Sequence, residues 1–452
     1  MINIVDVIAK RLIIAGSLLL CVSTTVFSQA VNPVADSALT LNQCIHYALK
    51  HQPFVNQAMV NQAIVRTTNA IALSSWYPQV NAQANLTHYN SRPTNYVVDA
   101  TGAAHVQKTG VLNTFIPVLG VSQTIFNPAL LYAAKSAPLY NDQAQEITDS
   151  SKIDVVAGVS KTFYSLLLTL EQISVLKEDT ARLGKNVSDT YHQYVAGIVD
   201  ETDYDEALIS LNNSKFQLKQ ATENLNPQYA TLKQVMGYPP RGQFNVLFDS
   251  AQMMNDIAFD TTQELQFEKR IEYKVLQTQK ALQLANINYY RKAWLPTLGA
   301  FFNYDYEFQS NNFGDLLSRA YPYSYMGLTL NLPIFTGFNR TNNVKRARLQ
   351  STLLDWSEVS LKSAIYTEYA SAMASYKSNL YNLQISKENV NLARRTYDIV
   401  ALQYEQGVVP YLNVITAESN LITSEISYKN ALYQVLSSKI DLQKSMGFIV
   451  VR

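Results

Sequence analysis

The sequence predicts a mixed α and β membrane protein, internally duplicated, in which each copy joins a hairpin of membrane-crossing strands to very long helices. Three observations carry this. The phrase "WYPQVNAQANLTHYN", starting at Trp76, returns as "WLPTLGAFFNYDYEF", starting at Trp294. In both, about ten residues after the Pro alternate apolar with polar, the period of a two-faced strand and the length a tilted strand needs to cross a bilayer. Finally, Phe338 to Gln406 contains neither Gly nor Pro. At about 1.5 Å per residue a helix of that length reaches roughly 100 Å, wider than an ordinary globular core.

Composition agrees and excludes alternatives. The chain has 452 residues and a formal net charge of +1, so it carries neither a basic nucleic-acid footprint nor an acidic tail. Only 16% of residues are charged and 15 are Gly, which suits long helices with quiet faces. The 29 Tyr are in excess, and Tyr is favoured where a surface is half apolar and half wet, as at a membrane edge.

The N-terminus reads as an export signal. Lys10 and Arg11 precede an apolar run from Leu12 to about Val22, and Ser28 and Ala30 have the small-residue pattern of a cleavage site, so residues 1–30 are assigned to a signal peptide. Cys21 lies in that leader, leaving Cys44 with no partner for an internal disulfide. Leu18-Leu19-Leu20-Cys21 also permits a lipoprotein reading, against which Leu20 stands where Gly, Ala or Ser is usual. No later segment is expected to approach the ~18–20 apolar residues of a membrane helix. Entry into a membrane must then be by strands.

The copies align at several points. Gly197 corresponds to Gly407, and Met236-Gly237 to Met446-Gly447, both at an offset of 210 residues. The Trp phrase is offset by about eight more, which locates one length difference between Trp76 and Ile125. The expected division is 31–237 for the first repeat, 238–264 for a linker and 265–452 for the second repeat, each repeat running helix, hairpin, long helix, helix. In the first strand Val80, Ala82, Ala84 and Leu86 form the apolar set; in its counterpart Tyr304, Tyr306 and Phe308 alternate with Asp305 and Glu307, which should face the lumen. Second strands are expected at about Val111 to Ile125 and Tyr323 to Leu332. The phase of the latter is mixed, with Tyr323 and Tyr325 on one face and Leu328 and Leu330 on the other.

The helices follow by period. Val155, Val159, Phe163, Leu166, Leu170 and Ile173 mark one face of the first long helix, and Leu421, Tyr428, Leu432, Val435 and Leu442 mark the returning helix from Tyr411 to Met446. Pro138, Gly158, Gly184 and Pro227 are expected to interrupt or kink the first copy's helices. Four strands cannot close a membrane barrel, which needs at least about eight. Copies must therefore share one, three chains supplying twelve strands or four chains sixteen.

The duplicated plan, the Trp-x-Pro ramps, the stretch "YEQGVVPYLNVITAESNLITSEISYKNALYQ" and the Met-Gly closing each copy resemble the TolC-like outer-membrane efflux proteins, over about Leu41 to Gly447. The resemblance implies a homotrimer with one twelve-stranded barrel in outer-membrane lipid, continued by a long α-helical barrel through the periplasm. It also implies the role of an exit duct in a tripartite efflux or secretion system, working with a periplasmic adaptor and an inner-membrane transporter. Drug efflux and protein or peptide secretion are not separated by this chain. A non-channel helical scaffold of the envelope is the reading from another class.

The same resemblance implies sites. The turns Ala196-Gly197-Ile198 and Gln406-Gly407-Val408 would meet the adaptor, although each Gly also serves simply as a helix C-cap. Relatives often place acids six and nine residues after the second Gly; here Asn413 and Thr416 stand there, and acids occur at those offsets in the first copy, as Asp203 and Glu206. These are candidates for a gate or selectivity ring, the alternative being first-turn acids that complement the helix dipole. Tyr194 and Tyr404 match an aromatic gate position, or pack between helices. Tyr304, Tyr306, Phe308, Tyr321, Tyr323 and Tyr325 are expected as a lipid-interface girdle. The five His lack metal-ligand spacing, and no phosphate loop, nucleophile elbow or cofactor motif occurs, so an enzyme is not expected.

Overall fold

The computed structural model describes residues 38–98, 101–247, 253 and 256–450; the assigned signal peptide and Cys21 lie outside them. After a two-residue strand β1 (Ala38–Leu39), which pairs in parallel with β6 (Asn245–Val246), come α1 (Leu41–His51) and α2 (Pro53–Ser74). Thr40 caps α1 through a reciprocal bond pair with Gln43. Helix α2 ends just before Trp76, and β2 (Gln79–His88) begins directly after Pro78. Pro78 has no N–H to continue a helix and pushes Tyr77 toward extended backbone, so the phrase is a ramp from helix to strand. The second occurrence repeats this: α5 (Ile271–Lys292) ends before Trp294, and β7 (Thr297–Ser310) starts after Pro296.

Four antiparallel strands form one sheet in the order β2, β5 (Asn113–Phe126), β7, β8 (Ala320–Asn331). The two hairpins therefore join through β5 and β7, leaving β2 and β8 as free edges. A ribbon of β3 (Thr94–Val98) and β4 (Ala104–Lys108) rises between β2 and β5. It falls between Trp76 and Ile125, where the offsets in the sequence locate a length difference.

Helix α3 (Pro128–Val195) has 68 residues and α6 (Asn339–Glu405) has 67. Pro138, Gly158 and Gly184 lie inside an uninterrupted α3, and Pro227 inside an uninterrupted α4 (Glu201–Met236), so these residues do not end their helices. In α3 the burial of Val155, Val159, Phe163, Leu166 and Ile173 outweighs a few local penalties. One 18-residue window of α3 has a mean hydropathy of 1.4 and is half buried within the fold. The expectation that nothing after the leader approaches membrane-helix hydropathy is thus corrected, and the physical reason is core: Val159 and Leu166 in α3 are fully buried.

That core sits at mid-height, where α1, α3, α4 and α7 (Tyr411–Ser445) converge on Cys44, Ala48, Leu166, Leu232, Met236, Val435 and Leu442. Above it, towards the sheet, the helices adjoin in the order α2, α3, α5, α6; below it α3 pairs with α4, α6 with α7, and α3 with α7. The ends of α4 and α7 meet the equator alike. Gly237 takes φ +67° with its Cα against His51 O and Gln52, and Gly447 takes φ +73° against Lys269 O. Gln52 Nε2 donates to Gln234 O at 3.4 Å, while Arg270 Nη1 donates to Lys444 O at 3.1 Å.

Candidate functional site

Each long helix turns back at its far end by the same device. Gly197 and Gly407 adopt φ +69° and +70°. The N–H of Ile198 bonds Gln193 O and that of Gly197 bonds Tyr194 O; the N–H of Val408 bonds Gln403 O and that of Gly407 bonds Tyr404 O. Both are Schellman caps, in which a left-handed residue lets two otherwise unpaired carbonyls be satisfied. The C-cap reading of these glycines therefore holds. The turns also expose apolar side chains, Ile198 at 73% and Val408 at 68%. Ala196 and Gln406 are the C-cap residues beside them.

The aromatic pair near the turns divides in two. Tyr404 is half-buried: its hydroxyl donates to Gln193 Oε1 at 2.8 Å, and its ring lies 5.2 Å from Tyr411. Burial, then the neighbouring Asp203, pushes its hydroxyl pKa upward. Tyr194 is more exposed and stacks on Tyr204, centroids 6.3 Å apart. Asp203 and Glu206 are half-buried in the first two turns of α4, Asp203 close to Tyr404; Asn413 and Thr416 are exposed on α7, with Thr416 Oγ1 donating to Leu412 O. The acids and the polar pair thus belong to different helix pairs.

A site the sequence reading did not single out lies deeper. Arg182 Nε donates to Glu418 Oε1 at 2.6 Å, and its Nη2 to Asp179 Oδ1 at 2.8 Å. Ser214 Oγ donates to Asp179 Oδ2 at 2.7 Å, Asn186 Nδ2 donates to Glu418 Oε2 at 3.3 Å, and the guanidinium lies 5.2 Å from the Tyr397 ring centre. All four lower helices meet there. Lys161 with Asp441 and Lys429 with Glu171 continue the α3–α7 contact upward in antiparallel register. Burial pushes the carboxyls of Asp179 and Glu418 up from their ordinary values in spite of Arg182. The available signal was an acid in an apolar phase: Glu418 follows Val414 by four residues and precedes Leu421 by three.

At the other end, strand register assigns every side chain to a face. Val80, Val121, Phe302 and Met326 stand in line across the sheet, as do Leu86, Phe115 and Phe308, so one face is almost wholly apolar. Tyr304, Tyr306 and Phe308 form its aromatic ladder, with neighbouring ring centres 6.5 and 5.2 Å apart. The register overturns the single girdle of six. Tyr321, Tyr323 and Tyr325 pair with Glu307, Asp305 and Asn303 and lie on the opposite face. The period of two forbids both sets from sharing a side. On that polar face side chains lean over small residues: a Cβ on Gly120 would meet the Asn81 and Asn303 amide oxygens at 2.6 and 2.9 Å, and one on Gly327 the Phe301 ring at 2.8 Å. Further apolar groups, Trp294, Ile334, Phe335 and Phe338, are exposed where strands meet helices. Among the described residues, no group of three or more His, Cys, Asp or Glu is placed to hold a metal ion.

A sheet with one apolar and one polar face, extended by helices of this length, defines a membrane-channel class of fold. The profile of the outer membrane efflux protein family matches residues 44–238 and 274–448, so the chain belongs to that family. It is similar to the outer membrane protein TolC of Vibrio cholerae, 18% identical over 346 residues, which span 73% of this chain and 76% of TolC. Its fold is shared with CusC, at a TM-score of 0.72 and 15% identity over 90% of this chain and 92% of CusC. VceC of Vibrio cholerae gives 0.70 and 15% over 90% and 96%. The protein is thus a TolC-like efflux protein of the outer membrane.

Proposed function

We propose that three copies of the chain close a twelve-stranded barrel in the outer membrane, continued by a ring of helices through the periplasm. In this reading the assembly is a passive exit duct that conducts substrates from an inner-membrane transporter and a periplasmic adaptor. One observation carries it: the free borders of the chain fall on the same two sides in both layers. In the sheet these are β2 and β8. In the helical layer they are α2, which exposes Val60, Ile64 and Ile71, and α6, which exposes Leu349, Leu353 and Trp356. Below the equator α4 exposes Ile209 and Phe216, and α6 exposes Leu392 and Ile399, seven residues apart in each pair. Unlike borders that meet head to tail build a closed ring, and an unpaired strand edge in lipid is too costly to persist.

The recurring element order supports an internal duplication, with the paired equatorial contacts of Gly237 and Gly447 as its imprint. The apolar face of the sheet is the lipid face in this reading, and the polar face lines the lumen. The turns at 196–198 and 406–408 are the proposed adaptor contacts, supported by the exposure of Ile198 and Val408. Asp203, Glu206, Tyr194, Tyr404, Asn413 and Thr416 are proposed to line or brace the entrance. The test is the mass of the detergent-extracted oligomer together with single-channel current in a planar bilayer. Three chains and discrete steps are expected; a monomer, or an oligomer with a different chain number, sinks the assembly.

A further inference from the structure

The four strands of the sheet contain two formally charged side chains, Asp305 and Glu307, and no lysine or arginine. Both acids lie on the polar face. Asp305 is only 5% exposed, and its Oδ2 is buried with no hydrogen-bond partner. Its cross-strand neighbours, Val118 and Tyr323, supply no positive charge. Arg319, just ahead of β8, lies over the Tyr321 ring at 5.3 Å instead. A buried carboxylate oxygen without a partner is costly, and the cost is removed when a cation neutralises it.

We propose that this face is a cation-attracting station: Asp305 and Glu307, repeated by each copy around the barrel, hold small hydrated cations and make the barrel end of the duct favour cations over anions. The inference rests on the barrel reading above, since only closure turns one pair of acids into a ring. The surrounding oxygens suit hydrated ions, with the Asn303 amide and the hydroxyls of Tyr321, Tyr323 and Tyr325 on the same face. The station is separate from the entrance acids Asp203 and Glu206, which lie at the far end of a 68-residue helix, about 100 Å away. Its influence reaches about 10 Å into the lumen at 0.1 M salt and about 3 Å at 1 M, so the preference fades as salt is raised.

The experiment is the reversal potential across a KCl gradient in a planar bilayer. The Asp305→Asn plus Glu307→Gln variant is expected to lower the potassium-to-chloride permeability ratio at least about twofold near 0.1 M and to match the wild type near 1 M. The same drop is expected when the change is made on top of Asp203→Asn plus Glu206→Gln. A ratio equal to the wild type at low salt overturns the station. The single Asp305→Asn variant keeps the shape and serves if the double variant fails to assemble. A wild-type oligomer that passes no current counts against the duct, and the station is then read by terbium(III) luminescence sensitised by Tyr323 and Tyr325. Emission lost in the double variant supports the station; equal emission overturns it.

Discussion

Arg182 on α3 and Glu418 on α7 form an ion pair at 2.6 Å with the carboxylate only 2% exposed, joining the first half of the chain to the second between the equator and the helical turns. Asp179, also 2% exposed, shares the same guanidinium. Removal of Arg182 would leave two buried carboxylates facing each other without a cation. Arg182→Leu is therefore expected to destabilise the protein by about 3–5 kcal/mol, seen as a lower unfolding temperature in detergent. Loss no greater than that of Lys219→Leu, which breaks an exposed pair on α4, would contradict this.

The same joint should respond to pH in a definite direction. Burial raises the pKa of Glu418 and of Asp179. A carboxyl raised in the folded state binds its proton more tightly there than when unfolded. Its contribution is fully present below the unfolded value, about 4, and is lost as pH rises through the folded value. Glu418→Gln removes one of these titrations. The unfolding temperature of the wild type relative to Glu418→Gln should thus improve as pH falls from neutral towards about 4; an unchanged or opposite difference would refute the assignment.

The four capping glycines should not tolerate alanine equally. Gly407 needs φ +70° but has open space around its Cα, so Gly407→Ala should cost only the left-handed penalty of about 1–2 kcal/mol. At Gly237 a Cβ would also meet His51 O at 2.6 Å and Gln52 Cα at 2.7 Å, both backbone or nearly so. Gly237→Ala should be clearly the more damaging in thermal unfolding. Equal losses would mean that the α1–α2 corner yields easily.

Adjacent positions on β8 should behave oppositely. Leu328 pairs with Ala300 on the apolar face, whereas Thr329 pairs with Gly299 on the polar one. If the apolar face meets lipid, Leu328→Arg should cost about 2–4 kcal/mol and lower the yield of folded protein in the membrane. Thr329→Arg should leave that yield near the wild-type level. Similar yields of the two variants in a membrane-fractionation assay would contradict the assigned faces.

Much of this architecture was legible because its signals are local. Pro after Trp stops a helix and starts a strand within three residues. A glycine that needs a positive φ marks each helix reversal, and the period of two in Val80 to Leu86 marks a two-faced strand. Local pattern misleads where distant parts of the chain meet. Residue type groups Tyr321, Tyr323 and Tyr325 with Tyr304, but pairing with β7 sets their face. Locally Gly158 marks a weak point, but α3 runs through it uninterrupted with Val235 of α4 packed close by. Arg182 and Glu418 lie 236 residues apart.

The chain's own chemistry, read residue by residue, was enough for helix, strand and turn, and for the place of each helix reversal. Each of these follows from backbone geometry or hydrophobic period over a few residues. Which strand joins the two hairpins, which tyrosines share a side with Asp305, and which acid finds Arg182 are questions of register between segments hundreds of residues apart. Shifting a strand by one position reverses every face while leaving its local pattern intact, so long-range packing had to supply those answers.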